Sequence, residues 1–122
     1  MRRSQLIAVA CVMWVIAAGS IHAGTHSIGD CAEGADFIQN AARARDNGMS
    51  RDAFVARLEA DFVTIRAFPP ALRWFVQDES DERFLHASVI LVYDQPLAPG
   101  RHRDAFLAAC LERVIASATT AG

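Results

Sequence analysis

Apolar residues recur at helical spacing along most of this chain, in stretches broken by glycine, proline or clustered acids. Cys31, Ala35, Ile38 and Ala42 share one face of a helix that Asp30 can cap and that Asp46, Asn47 and Gly48 end. Ser50 can cap a second helix, in which Phe54, Leu58, Phe62 and Ile65 follow one another on one face until Pro69 and Pro70 stop it. Residues 71–77, with Leu72, Trp74, Phe75 and Val76, predict a short helix opened by proline. Residues 84–93 are nearly all apolar, and Val89, Ile90, Leu91, Val92 and Tyr93 also favour a strand. No second strand-like run offers a partner, however, and Asp78, Glu79, Asp81 and Glu82 in front suit a helix N-terminus, so a buried helix is predicted. Pro99 opens the last helix, whose wide stripe is Phe106, Leu107, Cys110, Leu111, Val114 and Ile115. The pattern therefore predicts an all-α fold, a small bundle of four to five helices over residues 30–116. Residues 24–29 read as a flexible start and residues 117–122 as a frayed end.

Residues 1–23 follow another pattern. Arg2 and Arg3 precede an uncharged stretch at residues 6–19 and then small residues near Ala23, the layout of a secretory signal peptide. As a helix that stretch spans roughly 21 Å, short of the roughly 30 Å hydrocarbon core, so cleavage after Ala23 is expected rather than a permanent anchor. Membrane contact is then transient, through the signal peptide alone. The expected compartment is the periplasm of a Gram-negative bacterium or the medium outside it. Cys11 lies inside the apolar run and is not placed to carry a lipid.

Export changes how the remaining composition reads. Residues 24–122 suffice for one domain, and their ten arginines against fourteen acids give a net charge of −4 that argues against a nucleic-acid partner. Cys31 and Cys110 are the two cysteines left, so one pairing exists, and both sit on apolar stripes facing a common core. A Cys31–Cys110 disulfide would join the first and last helices. Chain entropy for such a loop corresponds to roughly 4.5 kcal/mol.

The chemistry is sparse. His26 falls in the flexible start, His102 between Arg101 and Arg103, whose charges disfavour its protonation, and His86 one helical turn after Glu82. His86 with Glu82 is half of a metal or hydrolytic site, and the acids at 78–82 read as a solvated helix start, with Asp78 or Ser80 as its cap. No serine lies in a glycine-flanked elbow and no glycine-rich phosphate loop occurs, so no catalytic residue, cofactor or metal is assigned. Arg66, Phe68, Arg73, Trp74 and Phe75, around the two prolines, form a candidate interface because arginine and aromatic side chains are enriched in binding hot spots.

The order of an early cysteine, "ARARDNGMS" between two helices, and "LVYDQPLAPGRHRDAFLAAC" resembles small uncharacterised secreted proteins of proteobacteria. Tyr93, Pro96 and Pro99 leading into a helix with Cys110 are its most distinctive part. The resemblance implies a helical fold with one disulfide and no activity. The layout is more loosely similar to periplasmic acid-stress chaperones, but it lacks their lysine-rich charge, so that function does not carry over. The leading expectation is an exported, non-enzymatic protein that binds another envelope protein. A stress-related holdase using the apolar run at 84–93 is one alternative, and a metal protein or hydrolase using His86 is another.

Overall fold

The computed structural model describes residues 26–120. The expected signal segment, its cut after Ala23 and Cys11 lie outside the described residues, as do residues 121–122. Four α-helices follow in order: α1 Ile28–Asp46, α2 Arg51–Arg66, α3 Glu79–Asp94 and α4 Pro99–Thr120, with a 3-10 turn at Pro70–Leu72 between α2 and α3. The fold is all-α, as the apolar pattern predicts.

Local chemistry explains most of the boundaries. Ser27, not Asp30, caps α1: its Oγ accepts from the Asp30 amide at 3.1 Å, while the Asp30 carboxylate accepts from the Ser27 amide at 2.8 Å. This reciprocal box starts the helix inside the segment read as flexible. Gly48, at φ 93°, turns the chain after α1. Ser50 caps α2 through the Ala53 amide, and Asp78 caps α3 through the Asp81 amide. Residues 84–93 lie wholly within α3, with Leu85, Val89 and Val92 buried. The last helix runs to Thr120, through part of the segment expected to fray.

Residues 71–77 differ from the expected helix. After the 3-10 turn the chain leaves helical geometry: the Gln77 amide, which a helix would give to the Arg73 carbonyl, donates to Asp81 Oδ2 instead, and Gln77 Nε2 takes that carbonyl. The Arg73 guanidinium fastens the segment by donating to the carbonyls of Phe68 (2.7 Å), Arg66 (3.0 Å) and Gln77 (3.0 Å). Phe75 and Val76 are thereby pulled into the core.

The core gathers Cys31, Ile38, Leu58, Phe75, Leu85, Val89 and Phe106 from all four helices and this segment. Helix α1 packs along α4 and against α3, whereas α2 meets the bundle chiefly through α3. Gly34 permits the close α1–α4 approach, since a Cβ there would lie 2.6 Å from Phe106 Cε1. The disulfide joins Cys31 to Cys110 with Cα atoms 5.6 Å apart, linking the first and last helices as expected. Among the described residues no helix is long and apolar enough to cross a membrane.

Candidate functional site

The candidate interface residues separate once the chain is folded. Phe75 is fully buried, stacked in the core against His26 and edge-on to Phe106. Arg73 is spent on three backbone carbonyls, and Gln77 Nε2 donates to the Trp74 carbonyl at 2.9 Å, so the segment is held from both ends. Arg66 pairs through Nε and Nη2 with both carboxylate oxygens of Glu82. Phe68 is 46% exposed. Trp74 is half-buried, its ring centroid 5.2 Å from that of Phe37 and 6.1 Å from that of Phe75.

Beside Trp74 lies an apolar groove of about 280 Å³, lined by Phe37 of α1, Leu58, Asp61, Phe62, Thr64 and Ile65 of α2, and Trp74 itself. The side-chain bonds of Arg73 position its far wall, and the spacing of α2 supplies its floor. Asp61 is the one charged group lining it and carries no ion pair among the described residues. Such a surface can take an apolar side chain, with a polar tip directed at the carboxylate.

The other face of α2 is charged. A cleft of about 470 Å³ between α2 and α3 is lined by Ile65, Arg66, Arg73, Val76, Gln77, Asp78, Glu79 and Glu82. Its centre is the Arg66–Glu82 pair, and the bond to Glu82 holds the Arg66 guanidinium above its ordinary pKa. Glu82 is buried, contrary to the solvated helix start read from the acidic run, because Arg66 compensates it. The half-site of His86 with Glu82 does not assemble: His86 Nε2 instead lies 3.7 Å from Glu59 Oε1. Among the described residues no three His, Cys, Asp or Glu side chains gather where they could hold a metal ion. The run at 84–93 that motivates the holdase reading lies in α3, with Leu85, Val89 and Val92 buried and Ala87 and Leu91 exposed.

Two buried polar clusters escaped the sequence reading. His26, in the stretch read as flexible, is 7% exposed, stacks on Phe75 with centroids 4.6 Å apart, and places Nε2 2.8 Å from Asp81 Oδ1. Asp81 also accepts from the Gln77 amide at 3.0 Å and from Arg113 at 3.3 Å. Burial, the largest influence on the Asp81 carboxyl, would raise its pKa, but His26, Gln77 and Arg113 together hold it below the ordinary value. One signal was available: Asp81 stands four residues before Leu85 on the stripe that continues to Val89 and Val92.

In the second cluster Arg45 donates to the carbonyls of Val92 and Leu97, each at 2.7 Å, and lies 3.3 Å from His102 Nε2. His102 Nε2 accepts from the Leu97 amide at 2.9 Å, so this nitrogen carries no proton. Burial, then Arg45, push the His102 pKa down. The opposing cation is Arg45 from α1, not Arg101 and Arg103 beside it in sequence. No protein-family model matches the chain, and no curated protein or solved structure is significantly similar to it.

Proposed function

We propose that this chain is an exported, non-enzymatic protein that binds another protein of the cell envelope through the groove beside Trp74. The observation that carries the reading is the apolar lining of that groove, Phe37, Leu58, Phe62, Ile65 and Trp74. Val63 (65% exposed), Phe68 and Leu72 (71% exposed) lie within three residues of lining positions along the chain. An open apolar groove marks an interaction surface more often than singly scattered apolar residues do. The disulfide is compatible with an oxidising, extracytoplasmic compartment.

Site-specific photocrosslinking in the living cell tests the reading. A photoreactive residue in place of Val63 or Leu72 is expected to give a discrete adduct that Trp74→Ala weakens. The same residue in place of Asp104, exposed on α4, is expected to give none. Equal adducts at all three positions, or none at Val63 and Leu72, would overturn the proposal.

A further inference from the structure

We propose that the side chain received by this groove is a lysine or arginine of the partner, with its cation against the aromatic wall that Phe37 and Trp74 form and beside the Asp61 carboxylate. The inference rests on the groove being the docking surface, and charge complementarity carries it further. Three of the lining side chains are aromatic, Phe37, Phe62 and Trp74. Aromatic faces carry negative charge density and attract cations, tryptophan most strongly. Asp61 adds a full negative charge at the same groove, and no arginine of this chain lines it. Arg57, one helical turn before Asp61, neither lines the groove nor pairs with Asp61 among the described residues, while Arg66 is engaged with Glu82 and Arg73 with three carbonyls. Lysine and arginine also bring aliphatic stems that suit Leu58 and Ile65 while the charged head stays at the rim. A neutral apolar side chain would cover Asp61 without compensating it, at a desolvation cost.

Two blocked tripeptides test this on the purified protein: acetyl-Ala-Lys-Ala-amide and the same peptide with norleucine, which has the stem without the ammonium. The readout is the indole N–H resonance of Trp74, identified by its loss in Trp74→Phe. The lysine peptide is expected to bind about three- to tenfold more tightly, the ratio set by an exposed cation–π contact with one carboxylate. That preference should shrink with added salt and in Asp61→Asn, with norleucine affinity unchanged. Equal or tighter binding of the norleucine peptide overturns the cation assignment while leaving the docking surface standing, as does a lysine preference undiminished in Asp61→Asn. If neither peptide moves the resonance, the proposal falls, and the crosslinking pattern at Val63 and Leu72 decides whether the docking surface falls with it.

Discussion

Asp81 shows what a single buried carboxylate does in this fold. It lies 2.8 Å from His26 Nε2 and 3.3 Å from Arg113 and accepts the Gln77 amide, so it ties the stretch before α1, the segment carrying Phe75, and α4 to the start of α3. Asp81→Ala would leave those donors without their acceptor. We expect a loss of about 2–4 kcal/mol in denaturant unfolding, less for Asp81→Asn, which keeps an oxygen for the Gln77 amide. The pH dependence has a definite sign. A carboxyl held below its ordinary 3.8 stabilises the fold fully above that value, and the contribution is lost as pH falls through the folded-state value. Asp81→Asn should therefore flatten the acid limb of stability against pH, and an unchanged limb would refute the assignment. Helical periodicity places Asp81 on the buried stripe, but an acid in a cluster of four reads as a solvated cap. What the sequence hid was the partner, since His26 lies 55 positions away and only tertiary packing brings it close. The same holds for the groove: Trp74 stood out from composition, whereas Phe37 and Asp61 join it only through the fold.

Helices α1, α2 and α4 were legible because each has a cap or proline start and an apolar stripe at the right period, and α3 because no second strand could pair with its apolar run. The segment at 71–77 was not legible, since the Asp81 side chain takes the Gln77 amide and the Gln77 side chain takes the Arg73 carbonyl, the pair that helix periodicity presumes bonded to each other. The loop between α3 and α4 follows the same logic. It is fastened by Arg45 to the Val92 and Leu97 carbonyls and by His102 to the Leu97 amide, so two side chains do there what a ladder does elsewhere. A histidine held below its ordinary 6.5 binds its proton more readily unfolded than folded. The stability it contributes is complete above about 6.5 and is lost as pH falls from there towards the folded-state value. Asp46 opposes the depression, while burial and Arg45 drive it. Unfolding free energy should thus decline as pH drops below 6.5, with the protection factor of the Leu97 amide falling in step. His102→Gln, which keeps an acceptor without a titrating proton, should remove that decline, and Arg45→Ala should shrink it. A decline of the same size in His102→Gln would show that another group is responsible.

The molecule as a whole is unevenly fastened. The disulfide, the Gly34–Phe106 approach and the Asp36–Arg103 pair at 2.9 Å all bind α1 to α4, while α3 packs on α1 and reaches α4 through the Phe84 and Phe106 rings. Helix α2 buries Phe54, Leu58 and Phe62 alone, meets the bundle mainly at α3, and leaves the groove between itself and Phe37 of α1. Elements with few buried apolar contacts open first, at free energies below that of global unfolding. Amides of α2 should therefore exchange with solvent through a smaller opening than those of α1 and α4. Reducing the disulfide separates the two events. The bridge acts on the fully unfolded chain by holding two residues 79 positions apart. Its loss should lower the protection of α1 and α4 by about 2–4.5 kcal/mol. An opening of α2 that leaves α1 and α4 in place never releases that loop, so the exchange of α2 should change little on reduction. Hydrogen exchange of the oxidised and reduced protein measures both at once. Equal protection of all four helices, falling together on reduction, would mean that α2 opens only with the rest. The groove would then be a fixed feature of one cooperative unit and not the seam along which that unit first parts.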